Sequence, residues 1–220
     1  MMNARTRFWT GIALAGSLWL AMLLLGGAGW EQDEALLAMI RAGEDGVLAR
    51  NASVLTKFGG WMVLSAITIV AAIYLAFTRR IRAALLLFMV FGGRLLVELM
   101  KVIVDRDRPG ASPYLEALHS MSFPSGHATN AMITYLAIAI LVPVRQRNRA
   151  IAVGIGLAMA IQVGWSRVAL GYHWPSDIVG GWAFGLLWIW SACASPAPVR
   201  TPSRMPRRAE PGNAAPLSFI

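Results

Sequence analysis

This chain is short of cysteine and of charge, and each shortage excludes something. Its single cysteine, Cys193, lies inside an apolar run, so no intramolecular disulfide forms and a zinc site built on cysteines is excluded. Cys193 itself reads as a small buried apolar residue. Charged residues fill only 14% of the 220 positions, a composition foreign to a soluble domain of this length. Acids are the scarcer sign: 11 Asp and Glu against 20 Lys and Arg give a formal charge of +9. That excess does not point to nucleic acid, because the cations cluster in short segments beside apolar runs, as membrane topology requires.

What is plentiful is apolar sequence, 57% of the chain. Runs reaching or approaching the roughly 18–20 residues that cross a bilayer predict six spans: 10–28, 60–77, 82–101, 128–144, 150–165 and 178–194. The fifth is short and continues in polar-lined form toward Val168. Trp9, Trp30, Trp61, Trp165 and Trp174 fall near span ends, where an interfacial belt places them. The expected architecture is an all-α bundle of six transmembrane helices occupying residues 1–194. Residues 195–220, rich in proline and arginine without periodicity, read as a disordered cytoplasmic tail. A cleaved signal peptide is the weaker account of the first span, since no small-x-small cleavage site follows it. The polar stretch 31–59 carries enough spaced apolar residues for an interfacial amphipathic helix, interrupted near Gly43–Gly46.

Alternating the sides divides the cations unevenly. Arg5, Arg7, Arg79, Arg80, Arg82, Arg145, Arg147, Arg149, Arg200, Arg204, Arg207 and Arg208 share one side. Arg41, Arg50, Lys57, Lys101, Arg106, Arg108 and Arg167 take the other, with nearly all the acids. The first side is therefore expected to be cytoplasmic, with both termini there. In a bacterium this makes an inner-membrane protein whose polar motifs face the periplasm or the exterior.

Those motifs are three. Lys101 precedes Arg108-Pro109; Pro124-Ser125-Gly126-His127 opens the fourth span; Ser166-Arg167 is followed by His173 and Asp177. Phosphoryl transfer asks a protein for positioning and for charge matched to the equatorial oxygens. Lys101, Arg108 and Arg167 supply that charge, the arginines through paired donors. Ser125 is an N-cap, Gly126 lets a ligand approach the backbone, and the free amides of the first turn point at an anion. His127 stands where it protonates a leaving oxygen. His173 and Asp177 are four apart, so at the start of a helix they share a face, and the carboxylate orients the imidazole for attack on phosphorus. Each feature alone has a plainer account, as a snorkelling lysine, a headgroup arginine or a capped helix with an incidental histidine.

Together the three stretches resemble the tripartite signature of the type 2 phosphatidic acid phosphatase superfamily, which includes membrane lipid phosphate phosphatases and soluble vanadium haloperoxidases. The match is complete at every signature position across 101–177. The resemblance implies a helical core of the acid phosphatase/haloperoxidase type and a metal-independent phosphatase without a cofactor. It also implies that His173 is the nucleophile, that Asp177 orients it, and that His127 protonates the leaving group. Lys101, Arg108, Ser125, Gly126 and Arg167 would then cradle the phosphate. The expected function is hydrolysis of a membrane-embedded phospholipid or polyprenyl phosphate, with undecaprenyl diphosphate, phosphatidylglycerophosphate and phosphatidic acid as candidates. Transfer of the phosphoryl group to an acceptor alcohol, or headgroup binding without catalysis, are the alternatives. Arg94, Glu98 and Lys101 share one helical face of the third span. They form either a structural Arg94–Glu98 pair or a device that positions Lys101. Asp105, Arg106 and Asp107 read as a solvated loop.

Overall fold

The computed structural model describes residues 3–27, 29–43, 46–110, 121–143 and 145–193, and every regular element among them is helical. The predicted tail lies outside the described residues. In chain order the helices are α1 (Ala4–Leu25), α2 (Glu31–Ile40), α3 (Val47–Lys57), α4 (Trp61–Thr78), α5 (Arg80–Leu87), α6 (Gly93–Val104), α7 (Gly126–Leu141), α8 (Gln146–Ala169) and α9 (Pro175–Cys193). A π-helical turn, Phe88–Gly92, joins α5 to α6 without a break.

Each of the six predicted spans coincides with a helix, but they do not all qualify as membrane-crossing. Thr6–Leu25, Trp61–Thr78, Arg80–Val104 and Gln146–Ala169 are the four described segments long and apolar enough to cross a bilayer. The predicted count of six is thus met by four. The 16 residues of α7 are apolar but too few. In α9 a polar first turn and three glycines dilute the apolar character. The outward faces are apolar, as lipid contact requires: Phe77 is 88% exposed, Ile81 84%, Val102 and Ile103 79%.

α7 is the central post, packed against α8 and α9 and touched by α4, α5 and α6, while α1 lies along α9 and α3 along α8. Its inward side chains, including Met132, Ile133 and Leu136, join Leu75, Leu86, Met89 and Val163 in one core. Small residues let the backbones approach: a Cβ on Gly181 of α9 would stand 2.7 Å from Thr129 Oγ1 of α7. The carbonyl of Met89 in the π-helical turn, which also accepts from Gly93 N, accepts from Trp188 Nε1 at 2.7 Å.

The segment between α1 and α4 holds two helices, the first ending at Ile40 and the second beginning at Val47 beyond the glycines. Two expectations are corrected. Cys193 ends α9 as an exposed free thiol rather than a buried residue. Trp174, assigned to an interfacial belt, is buried and donates its indole N–H to Asp107 O at 3.0 Å.

Candidate phosphate site

The three motifs occupy the ends of α6, α7, α8 and α9, all at one end of the bundle. α6 stops at Asp105, which takes the left-handed conformation (φ 50°) and turns the chain into the loop carrying Arg106 and Arg108. α7 starts at Ser125, whose Oγ accepts from Ala128 N at 3.5 Å. This cap leaves the Gly126 and His127 amides without intrahelical partners. Ser125 N donates to Asp177 O at 3.1 Å, which ties the second motif to the third.

A cavity of about 150 Å³ is lined by Lys101, Arg108, Gly126, His127, Arg167 and His173, so side chains 72 positions apart in the chain face one space. Gly59, Trp61, Arg94, Glu98 and Asn130 complete the lining. A Cβ on Gly126 would sit 3.2 Å from Lys101 Nζ, so the glycine keeps that wall open. Arg167 donates to Thr56 Oγ1 at 3.1 Å and stacks on Tyr172, its Cζ 4.1 Å from the ring centroid.

His173 is almost wholly buried at the base of the cavity. Arg108 Nη1 lies 3.1 Å from its Nε2 and donates to Tyr172 O at 2.7 Å. A guanidinium only donates, so Nε2 is the acceptor nitrogen and the ring proton sits on Nδ1. Nδ1–H is directed at Asp177 Oδ2 (3.4 Å) and Ser122 Oγ (3.3 Å). Burial first, then the charges of Arg108, Arg167 and Lys101, hold the His173 pKa well below the ordinary histidine value. The imidazole is neutral at neutral pH, with its Nε2 lone pair turned toward the cations.

Asp177 is fully buried, and three donors besides His173 support it. Oδ2 accepts from Trp174 N at 3.0 Å and from the Ser122 hydroxyl in a short hydrogen bond; Oδ1 accepts from Arg106 Nη1 at 2.9 Å. Arg106 also donates to Ser176 Oγ (3.1 Å), Met22 O (2.9 Å) and Leu23 O (2.7 Å), and lies over the Phe123 ring. The residue expected in a solvated loop is therefore the ion-pair partner of the buried carboxylate. Ser176 in turn donates its amide, at 2.8 Å, and its hydroxyl to Asp33 of α2, a fully buried acid that also accepts from Gly27 N at 2.7 Å.

Ser122, Arg106, Asp33 and Thr56 escaped the sequence-based assignment. Only Arg106 carried a signal, its place inside the first motif. The pair expected between Arg94 and Glu98 does not form among the described residues: Glu98 meets Lys101 at 3.4 Å, and Arg94 lies 5.6 Å from the Trp61 ring centroid.

The chain is similar to known proteins of one family. Residues 82–198 match the PAP2 superfamily. Phosphatidylglycerophosphatase B of Bacillus subtilis is 34% identical over 138 residues, covering 60% of this chain and 68% of the relative. Lipid A 1-phosphatase of Rhizobium etli is 34% identical over 114 residues, 48% of this chain and 46% of the relative. Among solved structures, a transmembrane PAP2-type phosphatidylglycerolphosphate phosphatase from Bacillus subtilis superposes with a TM-score of 0.74 at 26% identity. That superposition covers 83% of this chain and 94% of the other. The chain belongs to the PAP2 superfamily, in its membrane phosphatase branch.

Proposed function

We propose that the protein hydrolyses a lipid-linked phosphate monoester or diphosphate at the non-cytoplasmic face of the membrane through a phosphohistidine intermediate. One observation carries this: His173 Nε2 faces the same cavity as Arg108, Lys101, Arg167 and His127, while its Nδ1 is backed by a buried carboxylate held by three other donors. The similarity to phosphatases of membrane lipids supports the substrate class.

In the first step Nε2 of His173 attacks phosphorus while Lys101, Arg108, Arg167 and the α7 amides hold the equatorial oxygens. The bond from phosphorus to the leaving oxygen breaks, and His127, protonated while the bound phosphate's negative charge offsets the surrounding cations, gives that oxygen its proton. Asp177 stabilises the positive charge that develops on the His173 ring through Nδ1–H. In the second step a water attacks phosphorus and neutral His127 takes its proton. The P–N bond breaks, inorganic phosphate leaves, and His173 returns neutral. Three cations and helix-terminal amides supply the electrostatic stabilisation, so no metal is required.

The membrane unit would be residues 1–194 with six spans. α7 and α9 would cross as the wrapped centre of the bundle, where neighbouring helices rather than lipid surround them. Both termini would be cytoplasmic, which the charge distribution favours.

Purified protein in detergent, given a panel of phosphorylated lipids with EDTA present, should release phosphate. Faster turnover of water-soluble phosphates than of lipids would count against a lipid substrate. His173→Ala should abolish turnover yet still bind inorganic phosphate, and normal turnover in that variant would overturn the mechanism. Acid-labile, base-stable label on the protein after mixing with radioactive substrate would mark the phosphohistidine.

A further inference from the structure

The cavity is larger than the phosphate cradle and holds a cation that the cradle does not use. Arg94 lies two helical turns before Lys101, about 10 Å back along the helix at roughly 1.5 Å per residue, and both line the one cavity. The displacement runs away from the Asp105 end of α6 and into the apolar span Arg80–Val104. Arg94 therefore sits on the bilayer side of the cradle, where an ionised side chain is costly unless something offsets it. Among the described residues no carboxylate does so: Glu98, one turn on, is engaged with Lys101, and Arg94 has the face of Trp61.

Asn130 adds an independent sign of a polar ligand. It lies three residues beyond His127 on α7 and also lines the cavity, and its Oδ1 is buried without a hydrogen-bond partner. Buried polar atoms normally find partners, so an orphan in a cavity wall marks where a ligand donor belongs. Guanidinium, amide and indole face thus form a second polar level, deeper than the cradle and continuous with it. The Arg94–Trp61 contact also bridges α4 and α6, whose outward side chains Met62, Leu95 and Leu99 are exposed and apolar.

A lipid whose terminal phosphate occupies the cradle must run its chains inward past this level. A monophosphate such as phosphatidic acid brings only ester groups there. A lipid with a further phosphate, set by a glycerol or directly bonded on the chain side of the scissile one, brings an anion and, with glycerol, hydroxyl donors. We propose that Arg94, with Asn130 and Trp61, is a second anion subsite that selects lipids carrying a further phosphate on the bilayer side of the scissile phosphate, an inference that rests on the phosphatase function proposed above.

The test compares kcat/KM of the purified full chain for phosphatidylglycerophosphate, undecaprenyl diphosphate and phosphatidic acid in mixed micelles. In Arg94→Gln the preference for a two-phosphate lipid over phosphatidic acid should fall about tenfold or more, the loss expected for one charge-assisted hydrogen bond, chiefly through KM. Arg94→Lys should restore part of it. An unchanged ratio, or equal losses on all three lipids, would overturn the subsite and leave Arg94 as a clasp on Trp61. Should Arg94→Gln fail to fold, Asn130→Ala tests the same level through phosphatidylglycerophosphate, whose glycerol hydroxyls supply the donor that Asn130 Oδ1 accepts, and an unchanged ratio of that lipid to phosphatidic acid also counts against the subsite. Wild-type protein that turns over none of these lipids would instead overturn the proposed function, so the two failures are distinct.

Discussion

Replacing Arg106 by glutamine removes one half of an ion pair whose other half, Asp177, is wholly enclosed. Four acceptors lose a guanidinium donor: Asp177 Oδ1, Ser176 Oγ, and the carbonyls of Met22 and Leu23 at the end of α1. Removing one partner of a buried pair costs about 3–5 kcal/mol, because the remaining charge keeps its desolvation penalty without the compensating attraction. For a chain of this size each kcal/mol lowers the melting temperature by about 2–4 °C. The lower end of that product, about 6 °C, is the expected loss, since glutamine retains one donor. Thermal unfolding in detergent, followed by helicity, reads it directly. Turnover should fall further than stability alone explains, because an Asp177 oxygen without its partner lets the carboxylate turn away from His173 Nδ1. Asp107→Asn, one position on, is the internal control: its side chain is exposed and only its backbone carbonyl is engaged. It should stay within about 0.5 kcal/mol of wild type. Wild-type melting in Arg106→Gln would refute the assignment of Arg106 as the support of the buried Asp177 carboxylate.

Gly181→Ala places a methyl 2.7 Å from Thr129 Oγ1 and 3.2 Å from Ser125 O, forcing α9 away from the α7 cap. A cost of about 1–3 kcal/mol should show as a lower melting temperature with a disproportionate loss of kcat. Gly154→Ala, with nothing within 4 Å, should be neutral or mildly stabilising, and equal behaviour of the two would count against close α7–α9 contact as the reason for the glycine. The depressed pKa of His173 has a defined sign in stability. Below about pH 6.5 the unfolded chain takes up a proton that the folded imidazole refuses. Its contribution is full above that pH and is lost as pH falls toward the folded value. His173→Asn should therefore flatten the fall in melting temperature between pH 7 and 5, and an identical slope would show that His173 already titrates normally. At Asp105, held at φ 50°, valine should cost about 1–2 kcal/mol while glycine should not, and equal thermal stability of the two variants would contradict the left-handed turn.

What was legible in the sequence and what was not divides along a physical line. Lys101, Arg108, His127, Arg167 and His173 stood out because each is a polar group set among or beside apolar runs, where only a shared ligand or a partner makes it tolerable. The structure places all five around one cavity. The same contrast exposed Arg94 and Glu98, but helical spacing alone left two pairings open: which cation meets Glu98 depends on side-chain direction and on Trp61 of another helix, and the structure pairs it with Lys101. The supporting groups were invisible for the opposite reason. Asp33 and Thr56 lie in a stretch that reads as an interfacial amphipathic helix, Arg106 in one that reads as a solvated loop, and Ser122 carries no local signal; docking alone turns them inward. Asp33 caps the α9 terminus from α2, and Thr56 meets Arg167 from α3, so the segment 31–57 that looked like a surface accessory braces two of the three motifs. Its amphipathic character was readable, but not the face it would cover. Four rather than six helices meet the length and apolarity of a span for a related reason. Length and hydropathy measure what lipid requires, whereas α7 and α9 meet mainly protein: α7 is apolar but only 16 residues long, and α9 carries three glycines that bring backbones together. A helix committed to the centre of a bundle is released from the apolarity its neighbours need. That freedom is what allows Ser125, His127 and Asp177 to stand at helix termini in the heart of a membrane protein.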